Sequence, residues 1–98
     1  MSYKLAFKKD ALKEWKKLDK TIQDQFKKKL GKILENPLIP SARLSGFNIH
    51  ECYKIKLRQS GYRLVYEVHN NTLIVTVISV GKRNRNQVYK VAKTRLDD

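Results

Sequence analysis

Hydrophobic positions along this chain change their period three times. Tyr3, Leu5 and Phe7 alternate with polar neighbours, the spacing of a short strand with one buried face. From Asp10, which fits a helix start, apolar residues recur every three or four positions. Ala11, Trp15 and Leu18, with Leu12 beside them, form one stripe, and Ile22, Phe26, Leu30, Ile33 and Leu34 form another. Asp19, Lys20 and Thr21 interrupt the pattern, Asp19 or Thr21 can cap the second helix, and Asn36-Pro37 ends it. Pro40 to Asn48 has loop composition, with room for a short strand around Leu44. At Cys52 the period becomes two: Tyr53, Ile55 and Leu57 face one way, and Lys54, Lys56 and Arg58 face the other. Gln59-Ser60-Gly61 turns the chain into a strand from Tyr62 to His69. Asn70-Asn71 turns it again into Leu73 to Val80, the most apolar strand and the one expected at the centre of a sheet. After Gly81 and the segment Lys82 to Asn86, Val88, Val91, Ala92 and Leu96 predict a short terminal helix with Lys90, Lys93 and Arg95 outside.

Two consecutive amphipathic helices cannot hide both stripes from each other alone, so they must pack on the strands that follow. The predicted fold class is α+β: two N-terminal helices and a short C-terminal helix on a mainly antiparallel sheet of four to five strands. The helices are expected on one face, with the other face charged. The length of 98 residues suits one domain, and no repeat, low-complexity tract or linker divides it.

Charge sharpens this picture. Twenty-two Lys and Arg against nine Asp and Glu leave a formal charge of +13, more than solubility requires, which points to RNA, DNA or an acidic protein as partner. A membrane is the weakest candidate, because no apolar run approaches the ~20 residues that span a bilayer. The N-terminus has no signal-peptide stretch, so a cytoplasmic protein is expected. The lone Cys52 permits no internal disulfide and reads as a buried, inert strand thiol.

Phosphate-binding glycine loops and a nucleophile elbow are absent, and His50, His69 and Cys52 lack zinc-site spacing; neither metal nor cofactor is expected. The two histidines, having no evident partners, read as ordinary surface or loop residues. Asp10, Glu14, Asp19 and Asp24 alternate with lysines as on a solvated helix face, which disfavours a two-carboxylate hydrolase. Trp15 belongs to the buried stripe. Lys27, Lys28 and Lys29 read first as a solvated helix face. The sheet cations differ, because paired strands fix side-chain direction. Between Cys52 and Tyr89 stand Lys54, Lys56, Arg58, Arg63, Lys82, Arg83 and Arg85, opposed only by Glu67. Cations converging on one patch repel one another, and a phosphodiester relieves that repulsion. Tyr89 adds an ionisable hydroxyl beside the patch.

The blocks Ala11 to Leu18 (ALKEWKKL), Cys52 to Arg58 (CYKIKLR), Ser60 to Tyr66 (SGYRLVY) and Val77 to Arg83 (VISVGKR), closing with Val88-Tyr89, make nearly the whole chain resemble the RelE toxins of bacterial toxin-antitoxin pairs. That resemblance implies a fold similar to microbial ribonucleases and cleavage of messenger RNA in the ribosomal A site, with free RNA a poor substrate. It implicates Lys54, Lys56, Arg63, Arg83 and Tyr89 in metal-independent attack of a ribose 2′-OH on the adjacent phosphorus. Tyr89 and Lys54 are rival bases, Arg63 suits the nonbridging oxygens, and Arg83 suits the leaving 5′ oxygen. Related toxins use a Glu and a C-terminal His; this chain ends Leu96-Asp97-Asp98, so the Lys/Arg/Tyr version is expected. Lys27, Lys28 and Lys29, with Arg58, Lys82 and Arg85, become contacts to RNA and the ribosome.

The implied partners are a RelB-like antitoxin, which in the family can displace the terminal helix, and the 70S ribosome. Operator DNA would be reached only through the antitoxin. Charge alone leaves two other classes open: a noncatalytic RNA- or DNA-binding module, and an inhibitor that blocks the A site without cutting.

Overall fold

Strand β1 (Lys4–Phe7) leads through Lys8 into helix α1 (Lys9–Lys16) and helix α2 (Lys20–Ile33); strands β2 (Cys52–Leu57), β3 (Tyr62–His69) and β4 (Ile74–Lys82) follow, then helix α3 (Gln87–Asp97). This computed structural model describes residues 2–47, 50–82 and 87–97. The elements fall where the periodicity put them, with small differences at the ends. Lys8, not Asp10, occupies the N-cap of α1, and Asp10 sits in its first turn. Asp19 is the N-cap of α2, without a side-chain capping bond. The loop before β2 contains a 3-10 turn at Pro40–Ala42, and the strand allowed around Leu44 is a single bridge of Arg43 to Tyr53.

The sheet order is β1-β4-β3-β2. β2, β3 and β4 form an antiparallel meander, while β1 joins β4 in parallel, Lys4 opposite Ile74 through Phe7 opposite Val77. The sheet is therefore mixed, and β4 lies inside it as expected. The helical hairpin carries the chain from one edge to the other, which leaves the slot beside β4 to β1.

One face packs on α1 and α2. Ala11, Trp15, Ile22, Phe26, Leu30 and Ile33 meet Tyr53, Ile55, Leu57, Leu64, Tyr66, Val75 and Val77 in one buried cluster. Phe7, Trp15 and Phe26 pack ring to ring, with centroids 5.5 and 6.1 Å apart. Tyr66 stacks on Tyr53 and satisfies its hydroxyl by donating to the Pro37 carbonyl at 3.0 Å. Burial, with Tyr53 adding to it, pushes the Tyr66 phenol well above its usual range. Leu5 departs from its alternation partners: it stays 38 % exposed, over a groove beside Leu30, Gly31 and Leu34 on the edge strand.

The expectation of helices on a single face is corrected by α3, which covers the opposite face. Phe47, Cys52, Val65, Ile78, Val88 and Ala92 form a second buried cluster there. Cys52 is fully buried, and desolvation, aided by Glu67 and opposed by Arg43, pushes its thiol up to about 12. A neutral, enclosed thiol is a poor nucleophile, as read from the sequence.

The second face exists because β4 is bulged. Val65 pairs with Ser79 and Tyr66 with Val77, so Ile78 is the extra residue. The slip sends both Ile78 and Ser79 towards α3 and returns Val80 to the main core. Arg95, expected outside, turns inward to this bulge: it pairs with Glu14 of α1 and donates to the Ile78 carbonyl at 2.8 Å.

Candidate functional site

Alternation along β2 and β3 places Lys54, Lys56 and Arg63 on the face that α3 only partly covers. Lys56 and Arg63 are direct cross-strand partners. Like charges so placed repel each other, and a bound anion relieves that repulsion. Tyr89, in the first turn of α3, reaches the same face. Arg63 Nη1 donates to the Tyr89 hydroxyl oxygen at 3.1 Å, and the Arg63 guanidinium carbon lies 5.4 Å from the Tyr89 ring centroid. The ring thus receives both a hydrogen bond and a cation–π contact. Because the hydroxyl oxygen accepts, its proton points elsewhere and can serve another acceptor.

Gly81 faces Arg63 across the β3-β4 pair, close to Val88 at the start of α3. A Cβ at Gly81 would come 3.4 Å from Val88 Cγ2, so a larger side chain would push against the helix.

Two depressions adjoin the site. One, of about 400 Å³, is lined by Lys56, Leu57, Arg58, Gly61, Tyr62 and Arg63. The other, of about 490 Å³, runs from Lys56 and Arg58 to Gln25, Lys28, Lys29 and Lys32 of α2. Among the described residues, no carboxylate lines either depression. Lys28 and Lys29 thereby join the sheet cations, as does Lys32, which the sequence reading missed. Its position four residues beyond Lys28 was the available signal. Lys27 does not join them; it borders the apolar groove beside β1. Lys82, opposite Tyr62, alternates away from Arg63 at the same end of the sheet. The expectations for Arg83 and Arg85 lie outside the described residues.

His50 and His69 do have partners, contrary to the sequence reading. His50 Nδ1 lies 2.6 Å from Glu67 Oε2, and His69 Nε2 lies 3.3 Å from Glu67 Oε1. The one acid among the sheet cations is therefore engaged by imidazoles. Among the described residues, no cluster of His, Cys, Asp or Glu could hold a metal ion, and no helix is long and apolar enough to cross a membrane.

The family model described as the ParE toxin of the type II toxin-antitoxin system parDE matches residues 5–87. Over 96 residues, covering 98% of this chain and 99% of the other, the chain is 53% identical to the mRNA interferase toxin RelE of Escherichia coli strain K12. An arginine-to-alanine double mutant of E. coli RelE in the free state superposes with a TM-score of 0.87 at 52% identity, over 97% of this chain and 98% of that one. The same mutant in complex with an antitoxin RelB peptide gives 0.79 at 52% identity, over 94% and 95%.

Proposed function

Because the chain belongs to the ParE/RelE toxins of type II toxin-antitoxin systems, we propose that it is an mRNA interferase that cuts messages held in the ribosomal A site. The observation that carries this reading is the Arg63–Tyr89 contact on the face that also bears Lys54 and Lys56.

In the proposed reaction the ribose 2′ oxygen attacks the adjacent phosphorus and the bond to the 5′ oxygen breaks. The products are a 2′,3′-cyclic phosphate and a 5′-hydroxyl. RNA brings its own nucleophile, so the protein's task is to move protons and stabilise charge. Tyr89 as the phenolate and Lys54 as the neutral amine are the candidates to accept the 2′ proton. Arg63 donates to the nonbridging oxygens as negative charge builds on them, and preorganised charge of this kind is commonly a large catalytic contribution. Arg83 is assigned to the 5′ oxygen, as electrostatic support for its departure.

A flexible phosphodiester rarely adopts the in-line geometry that this attack needs, and a ribosome that holds the message can impose it. The rim of Lys28, Lys29, Lys32, Lys56 and Arg58 suits phosphates of ribosomal RNA. A RelB-like antitoxin is the second partner: an acidic and apolar segment that covers the cationic face would silence it, and E. coli RelE has been solved with such a partner's peptide.

Primer extension on messages from a translation reaction tests the reading. New 5′ ends at A-site codons are expected only when ribosomes are present. Arrest with intact messages would make the protein a blocking factor, and cutting of free RNA would make it an ordinary ribonuclease.

The rim has its own expected result. Replacing Lys28 and Lys32 together by alanine should weaken ribosome binding and flatten its salt dependence, lowering the log–log slope by about 2 if each lysine meets one phosphate. A slope unchanged from wild type would remove these lysines from the RNA interface.

A further inference from the structure

Helix α3 is held by little apolar surface. Only Val88 and Ala92 are buried among its described side chains, while Tyr89, Val91 and Leu96 are half-buried. A helix of this length has no stability of its own, so its pose depends on what ties it down. The ties are polar, and they converge on the β4 bulge. Ser79 Oγ, beside the extra residue, donates to the Val88 carbonyl at 2.8 Å near the start of the helix. Near its end, Arg95 Nη1 and Nη2 donate to Glu14 Oε1 and Oε2 at 2.9 and 3.0 Å, and Nη1 also reaches the Ile78 carbonyl at 2.8 Å. Glu14 Oε1 accepts, in addition, the backbone N–H of Val80 at 3.2 Å.

This is more than a surface ion pair. Beyond Phe7–Val77, β4 has no β1 neighbour, and the bulge breaks its register with β3. The Val80 N–H and Ile78 C=O therefore use Glu14 and Arg95 as partners. A forked, two-bond guanidinium–carboxylate contact fixes direction as well as distance.

We propose that Glu14 and Arg95 are positioning residues for cleavage: a clamp across α1, the β4 bulge and α3 that sets the helix pose in which Tyr89 meets Arg63. The proposal rests on the role assigned to Tyr89 above. Arg95 lies six residues beyond Tyr89, about 9 Å along a rigid helix, so a tilt at one end moves the other. Displacing a reacting group by about 1 Å can cost on the order of a hundredfold in rate.

Glu14→Gln and Arg95→Gln, each alone and with Tyr89→Phe, test the clamp. Glu14→Gln keeps an oxygen for the Val80 N–H and so removes the ion pair while sparing the bulge; Arg95→Lys should fall between wild type and Arg95→Gln. Native-state hydrogen exchange in α3 should accelerate roughly tenfold while β3 stays protected. Single-turnover cleavage on programmed ribosomes should slow roughly tenfold at an unchanged half-saturating concentration, with no further slowing in the Tyr89→Phe background. Unchanged exchange in α3 would overturn the clamp. A raised half-saturation at unchanged rate, or an equal fall in both backgrounds, would overturn its positioning role. If Tyr89→Phe alone cleaves like wild type, the role of Tyr89 fails and takes the positioning of Tyr89 with it, while α3 exchange still decides whether the clamp holds the helix.

Discussion

Arg63→Ala is expected to slow single-turnover message cleavage on programmed ribosomes by roughly two to three orders of magnitude, the usual cost of removing one preorganised donor from a developing oxyanion. Arg63 has this weight because it serves two functions at once. In the proposed reaction its guanidinium donates to the nonbridging oxygens, and one of its N–H groups holds the Tyr89 hydroxyl at 3.1 Å. Truncation removes the charge and releases the ring it steadies. Ribosome binding should change little, since Lys28, Lys29, Lys32, Lys56 and Arg58 remain along the rim. The measurement is the rate at saturating toxin, with the half-saturating concentration read separately. Equal losses in both would make Arg63 a docking residue and would move the chemistry elsewhere.

Phe26→Ala should cost about 3–5 kcal/mol of folding stability, a large share of what a small domain possesses. Phe26 is fully buried, with its ring centroid 6.1 Å from that of Trp15. Trp15 packs in turn on Phe7, so the wall of the cavity belongs to α1 and β1 and cannot simply fall inward. Urea unfolding should show a lower midpoint with an unchanged slope. The comparison is Leu12→Ala: Leu12 stands beside the stripe of Ala11 and Trp15 in α1 but is 37 % exposed, so its truncation should cost far less. Equal losses at the two positions would contradict the assignment of buried and exposed faces on the two helices.

The resemblance to RelE toxins came from blocks of residues in order, and family membership follows from the whole-chain match. The geometry around those blocks was only partly legible. Lys54 and Lys56 could be placed together because alternation in one strand puts them on one face. That Arg63 stands opposite Lys56 was not legible, because the register of β2 and β3 depends on the loop of residues 58–61, one residue longer than the Gln59-Ser60-Gly61 turn read from the sequence. The joining of Lys28 and Lys32 to them was not legible, since it depends on how α2 lies across the β2 edge. The partnership of His50 with Glu67 also escaped, because the two are distant in sequence and meet only in the folded chain, whereas that of His69, two residues beyond Glu67 on the same face of β3, was within reach of the alternation.

Most of the shared strand and helix faces, the order of the elements and the cationic character of the sheet were already present in the one-dimensional pattern. Each of these follows from local periodicity and from charge, which need no knowledge of distant neighbours. Folding of the whole chain set which side of the sheet α3 takes, because an amphipathic stripe specifies an apolar partner without naming it. It likewise decided that β1 lies parallel beside β4, that Ile78 is a bulge residue, and that Glu14 and Arg95 meet there. Those outcomes come from satisfying backbone groups and closing two cores at once, a condition on the whole chain that no window of residues contains.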